Sequence, residues 1–385
     1  MNKRMRKFLV SLGMVVVLGT GNAFADATSV ESQLAVDLKS AMDPADDYAV
    51  FADKLTTKAH IDGSIAANDA TIKNTKIGNS NAKGNNTSYI VKLNEETNQD
   101  ELFVSGHSVA LDMTKNTIIE EGGTYYWVKE DGTTKLKLAA NKSGLTISKI
   151  TDAGLGTAEN PVSIGSALES LRNLSTTLAA TESGDGAVKI VDADVSQLQK
   201  SSGTGAGADY FDITLEDTDN DGNLGVVVVN VQVPSSASTQ VTVDRALRVG
   251  GTVIDNYNEL AGKVLFNFVN EDGTPYKGNL TFNMGAGIVL APSATVNITS
   301  GGNFDGSVLC KIFNGSDIQM HQVEFNLIDK DTPNTPDTPD TPDTPFKDYE
   351  GDEETGDILP WGAIAGVGLA ASGLFLVNRK DEDEE

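Results

Sequence analysis

The chain has 385 residues, enough for one large or two modest domains with a real core. Its 55 acids against 29 Lys and Arg give a net charge of −26, and only Arg172, Arg245 and Arg248 lie between the hydrophobic termini, which excludes nucleic-acid binding. A single cysteine, Cys310, excludes an internal disulfide, and 38 Gly with 6% aromatic residues point to a turn-rich all-β chain rather than a helical bundle.

The first 25 residues read as a secretory signal. Lys3, Arg4, Arg6 and Lys7 precede the apolar run Phe8 to Leu18, and Ala23-Phe24-Ala25 offers a small-x-small cleavage site. Their removal takes four positive charges and no acid. Residues 26–45 form a helical lead-in, with Val30, Leu34, Leu38 and Met42 at intervals of four and Pro44 as the stop. From Ala49 the pattern turns to short strands between Gly, Asn and Asp, such as Ile61, Thr71-Ile-Lys, Tyr89-Ile-Val-Lys-Leu and Tyr125-Tyr-Trp-Val. Asn79 to Thr87 reads as a polar loop.

One helix interrupts the strands over 161–181. Asn160 is placed to cap it, Pro161 suits its first position, and Ile164, Leu168, Leu171, Leu174 and Leu178 form one apolar stripe. Residues 187–255 read as an antiparallel region, with Tyr210 to Leu215 and Val226 to Val233 flanking a turn-rich stretch.

Further on, a short unit repeats: a Gly or Ala, three or four β-prone residues, then a polar turn. Copies are Gly262-Lys-Val-Leu-Phe, Gly278-Asn-Leu-Thr-Phe, Gly287-Ile-Val-Leu-Ala, Ala294-Thr-Val-Asn-Ile and Gly306-Ser-Val-Leu-Cys. Strands too short to bury a face alone predict stacked rungs of a Gly-rich β-solenoid, with the lone helix along its flank. Gly287 and Gly306, 19 residues apart, would mark one turn of the coil. An ordinary β-sandwich is the alternative. Cys310, at the end of one unit, is expected to be a buried, inert thiol.

The runs Ile288 to Val296, Gly301 to Val308 and His321 to Phe325, with the opening segments Asp47 to Leu55 and His60 to Asn68, resemble the choice-of-anchor A family. The resemblance covers both ends of residues 46–330 and is weaker between them. It implies a bacterial surface protein with an adhesive role, one shared ectodomain and a variable C-terminal anchor. It carries over no catalytic residue.

After Asp331 the composition changes. Five triplets ending in Thr-Pro and an acidic continuation make residues 331–357 a stalk, extended over roughly 45 Å at about 3.1 Å per residue in its Thr-Pro part. Residues 358–377 lack charge over a bilayer-spanning length, and the tail 378–385 begins with Arg379 and Lys380, which hold that end inside. Thr355-Gly356 before this span resembles the cleavage point of a Gram-positive sorting signal, where sortase would join Thr355 to peptidoglycan. Asp352-Glu353-Glu354 stands where that motif has Leu-Pro and one variable residue.

Asp217, Asp219, Asp221 and Asn223, with Gly222 at the turn, alternate as calcium ligands do, but position twelve is Val228, so at most weak calcium binding is expected. An acidic hairpin turn is the plainer reading. His60, His107 and His321 have no metal-ligand spacing, although His60 and His321 fall in the two family-like end segments and are expected to be neighbours. No nucleophile elbow, phosphate loop or other cofactor motif is present. The expectation is therefore a non-enzymatic, adhesin-like or structural protein on the surface of a Gram-positive-type bacterium. Its ligand would be a host or matrix protein or a glycan. A surface carbohydrate-active enzyme on a β-helix is the second reading, with no carboxylate pair singled out among the acids.

Overall fold

Repeated apolar runs flanked by Gly dominate the architecture. The computed structural model describes residues 27–73, 75–78, 87–94, 101–141, 144–150, 155–157, 160–182, 188–200, 210–215, 225–235, 240–283, 285–299, 302–316 and 318–326. The signal-like segment, the calcium-like loop with Asp217, Asp219, Asp221 and Asn223, and everything from 327 onward, including Thr355, Gly356 and the apolar span 358–377, lie outside the described residues.

Fourteen strands form one sheet. In chain order they are β1 (Val50–Thr57), β2 (His60–Asp62), β3 (Ile65–Ile72), β4 (Thr87–Asn94), β5 (Ser108–Asp112), β6 (Thr146–Ile150), β7 (Val188–Asp194), β8 (Val226–Val233), β9 (Gln240–Val243), β10 (Val264–Asn270), β11 (Asn279–Phe282), β12 (Gly285–Ile298), β13 (Gly302–Gly315) and β14 (Ile318–His321). Every pairing among them is parallel, and the main path runs β6-β5-β4-β3-β1-β13-β12-β10-β8-β7. This is a β-solenoid with an unusual order. The chain starts in the middle at β1, climbs to β6, crosses to the far end at β7, and returns until β13 closes against β1.

The repeat spacing read from the sequence is one turn of the coil. Gly287 of β12 pairs with Gly306 of β13, and both have positive φ, +103° and +149°. Gly306 lies so close to the Gly287 carbonyl that an added Cβ would sit 2.0 Å from its oxygen. The units are of two kinds, however. The Gly287 and Ala294 copies are two sides of the single strand β12, separated by a register shift between Ala291 and Thr295. Pro292, which cannot donate to a ladder, sits at that irregularity.

The first half of each long strand is buried on both faces. Val50, Ala52, Val289, Val308 and Cys310 face one core, while Phe51, Ile288, Leu290 and Leu309 face a second. Parallel strands covered on both sides read as unbroken apolar runs, which is why Gly287-Ile-Val-Leu-Ala and Val226-Val-Val-Val show no alternation. Burial pushes the Cys310 thiol well above its ordinary range, as expected for an inert packing group.

Two helices supply the second core. α1 (Ala27–Met42) buries Leu38 and Met42, and α2 (Ile164–Ala180) buries the whole predicted stripe of Ile164, Leu168, Leu171, Leu174 and Leu178. They pack against each other, and α2 lies on β12, β10 and β1. The flank thus has two helices where the sequence suggested one. The start of α2 also differs. Ser163 is its N-cap, its Oγ accepting from Ser166 N at 3.1 Å, while Asn160–Val162 pairs antiparallel with Leu155–Thr157. A serine caps as well as Asn160 would, and the later start puts Ile164 in the core.

Buried amides pin α2 to the coil. Asn267 of β10 donates to Ser175 O and to Asn230 Oδ1 of β8, both at 2.9 Å, and accepts from Ser175 Oγ at 2.5 Å. Asn230 in turn donates to Leu178 O at 2.9 Å. Replacing Asn267 by Ala would leave several of these buried groups unpaired, and is expected to cost about 2–4 kcal/mol in urea unfolding. A change below about 0.5 kcal/mol would mean that water replaces the network.

The expected antiparallel region is corrected. β7, β8 and β10 pair in parallel, and Tyr210–Ile213 pairs in parallel with Ala246–Val249, leaving, among the described residues of this region, only the hairpin of Ala246–Val249 with Thr252–Val253 antiparallel. Tyr210–Ile213 and Val226–Val233 do not pair with each other, because an all-valine run needs cover on both faces and finds it between β7 and β10. A separate four-stranded sheet, Glu101–Ser105, Lys135–Ala140, Thr124–Val128 and Thr117–Glu121, is inserted beside β4.

Candidate functional site: the uncovered face of the coil

Beyond the bulge the strands change character. From Thr295 in β12 burial alternates, with Val296 and Ile298 inside and Thr295 and Asn297 turned outward. The same alternation holds in the last residues of β1, β3, β4, β9, β11 and β13. Among the described residues, α1 and α2 pack on the other side, in the second core.

Strand register turns the alternation into files. Thr242, Thr281, Asn297, Asn314, Thr56, Thr71 and Asn94 stand opposite one another across β9, β11, β12, β13, β1, β3 and β4. All seven are partly exposed. Strands about 4.8 Å apart make this file roughly 29 Å long. It holds four Thr, three Asn and no charge. A second file, about 6.7 Å along the strands, comprises Gln240, Asn279, Thr295, Ile312, Lys54, Asp69 and Lys92. Its charges are confined to β1, β3 and β4.

The amides in the file are already ordered. Asn314 donates to Asn297 Oδ1 at 2.9 Å, and Asn297 donates to Leu280 O at 3.2 Å. The inward partners, among them Val241, Leu280, Val296, Phe313, Leu55 and Leu93, are buried in the main core. The surface is therefore parallel sheet backed by buried core, bearing short side chains that both donate and accept hydrogen bonds. Such a surface is suited to contacts that match a repeat.

The sequence reading did not find this face. The signal was there, as an apolar residue followed by Thr or Asn in Leu280-Thr, Val296-Asn, Phe313-Asn, Leu55-Thr, Ala70-Thr and Leu93-Asn.

A polar corner lies elsewhere, where β2, β13 and β14 meet. His60 and His321 come together as expected, on one carboxylate. His60 Nε2 is 3.0 Å and His321 Nε2 4.0 Å from Asp62, which is fully buried. Gln319 donates to Asp62 at 2.8 Å, and the Tyr257 hydroxyl donates to it as well. His321 Nδ1 meets Asp305 at 2.8 Å, Asp305 also accepts from Tyr257 N at 2.6 Å, and the Tyr257 ring stacks on His321 at 3.8 Å. Asn256 and Tyr257 hold left-handed φ of +50° and +63° to make these contacts. With Asp62 engaged from several sides, the corner reads as a clasp between the first and last strands. His107 lies apart and exposed, and among the described residues no group of three or more His, Cys, Asp or Glu is arranged to hold a metal.

A cleft of about 270 Å³ beside α1 contains Asp46, with Lys39, Glu259 and Phe325. Burial, then the neighbouring carboxylates Asp47 and Asp43, push the Asp46 carboxyl up to about 7. Above the ordinary value of 3.8 the unfolded chain loses this proton while the folded protein keeps it. Stability therefore falls as pH rises from about 4 to 7. Asp46→Asn is expected to match the parent at pH 4 and to exceed it at pH 7.5 by roughly 1 kcal/mol after solvent screening, read by urea unfolding.

Fold and face together define a parallel β-solenoid, flanked by helices on one side and presenting ordered polar files on the other. The family model described as "Putative Ice-binding-like adhesive domain" matches residues 41–322, and the chain belongs to that family. No curated protein matches the chain. Among solved structures, an ice-binding protein from an Arctic yeast, described for its antifreeze activity, aligns at 12% identity with a TM-score of 0.28, covering 72% of this chain and 91% of that one.

Proposed function

We propose that this protein is an exported, surface-anchored adhesin or structural protein that displays its solenoid on a Thr-Pro stalk and carries out no catalysis. The observation that carries the reading is the adhesive-domain match over residues 41–322. The basic-apolar start, the stalk of 331–357 and the uncharged span of 358–377 support export and anchoring, in the manner of choice-of-anchor A proteins of Gram-positive-type bacteria. An adhesive domain needs a contact surface, and the uncovered face supplies one.

Sortase processing at Thr355-Gly356 is inefficient in this reading. Asp352 and Glu353 stand in place of an apolar residue and a proline, and seating them in an apolar groove costs roughly a few kcal/mol. Most of the protein then stays in the membrane through residues 358–377.

The test uses cells carrying the full chain. Muramidase digestion should leave the solenoid with the membrane, and cells displaying it should adhere to coated surfaces better than cells lacking it. Release with peptidoglycan fragments on Thr355 would overturn the membrane-retention part. Equal adhesion with and without the protein, or recovery only inside the cell, would overturn the whole.

A further inference from the structure

We infer that the ligand of the uncovered face is a neutral, hydroxyl-rich polysaccharide whose chains are packed in an ordered array. The inference rests on the adhesive reading above and names its partner class. Four observations carry it.

First, charge selects against the common alternatives. The chain carries −26, so an anionic polymer is repelled, yet the file Thr242, Thr281, Asn297, Asn314, Thr56, Thr71, Asn94 has no charged member. Where β9, β11, β12 and β13 cross, the neighbouring file of Gln240, Asn279, Thr295 and Ile312 is uncharged as well. A neutral patch on so acidic a protein suits a neutral partner.

Second, hydroxyls and carboxamides each donate and accept, as sugar hydroxyls do. Thr methyl groups between them match the C–H faces of a sugar ring.

Third, neither file contains an aromatic residue. Soluble oligosaccharides held one ring at a time favour aromatic platforms, which bring large contact area at each site. A surface of short side chains instead gains affinity only by many weak contacts made in register. That requires a partner that repeats over the full length of the file, roughly 29 Å.

Fourth, little ordering remains to be done on binding. Asn314 and Asn297 are already chained to Leu280 O, Thr is restricted at χ1, and the backing core is fully packed.

The experiment sediments the purified full chain, in detergent, with microcrystalline cellulose and with chitin, and in parallel with an alginate gel. A separate arm measures partition into growing ice. The test variant is Thr56→Lys/Asn314→Lys, which places two charges on adjacent outward positions of the file. Thr177→Lys, on the exposed side of α2, is the control. Melting by circular dichroism should be the same for all three proteins. Binding to at least one neutral polymer is expected, with little salt dependence, unchanged in the control and weakened about tenfold in the variant. Binding to neither polymer, or binding that the variant retains, overturns the inference. Ice partition lost in the same variant would assign the face to ice and overturn the polysaccharide. If displaying cells still adhere while purified protein binds neither polymer, the adhesive reading stands and only the ligand class fails.

Should the double variant melt lower, Thr71→Lys alone, read against the same polymers, decides the matter by the same criterion.

Discussion

Gly306→Ala is expected to be among the most damaging single changes in the molecule. Its Cβ would lie 2.0 Å from the Gly287 carbonyl oxygen and 2.8 Å from the carbonyl carbon, both backbone atoms of the adjoining turn. Neither can move aside as the tip of a side chain could. The φ of +149° adds a conformation that L-residues rarely adopt. Relief requires β12 and β13 to part, which breaks a ladder of eleven register pairs in the middle of the coil. A loss of at least about 4 kcal/mol in urea unfolding is expected, or failure to accumulate as folded protein. Gly132→Ala separates the two causes. Its φ is +71° but nothing lies within 4 Å of an added Cβ, so it should cost about 1 kcal/mol. Comparable losses for the two variants would show that backbone strain, not the close approach of the turns, sets the effect.

Leu171→Asp should follow closely. Leu171 is fully buried at the centre of the α2 stripe, in the cluster that holds Phe51, Ile288, Leu290 and Leu309. The members of that cluster are hydrophobic, so a carboxylate placed among them would be desolvated, and the leucine volume is lost as well. Roughly 3 kcal/mol or more should disappear from unfolding stability. Asn173→Asp, two residues on and exposed, should stay within about 0.5 kcal/mol of the parent. An unchanged melting curve for Leu171→Asp would mean that the helix is not fixed to the coil.

What could be read from the chain beforehand depended on how singular the physical requirement was. The spacing of Gly287 and Gly306 was legible because only glycine fits two backbones so close together. The α2 stripe was legible because leucines at helical spacing leave one way to bury them. Strand direction was not. Val226-Val-Val-Val is equally apolar in a sandwich hairpin and in a parallel coil, and its neighbours, β7 and β10, are set by long-range closure rather than by adjacent residues. The contact face stayed hidden for a different reason. Thr and Asn carry no mark of a shared surface when read one strand at a time, so Asn297 and Asn314 gave no sign of a file until register lined them up with Thr56 and Thr71. His60 and His321 were expected to meet; Asp62 and Asp305, which hold them, lie in the same family-like end segments, but Tyr257 comes from a separate stretch that offered no periodic cue.

The central position of β1 has a consequence for how the molecule forms. In most coils the first rungs can assemble while later ones are still being made, each turn templating the next. Here β1 is completed on one side by β3 and on the other by β13, whose Val308 pairs with Val50. The two halves of the coil are thus joined through a contact separated by more than two-thirds of the chain. Loop closure of that kind is slow and comes late. A chain delivered N-terminus first, from a ribosome or through a membrane pore, holds an open edge at β1 until β13 arrives. Pulse-labelled chains cut off before Gly302 should remain sensitive to protease, and resistance should appear in one step once residue 326 has emerged.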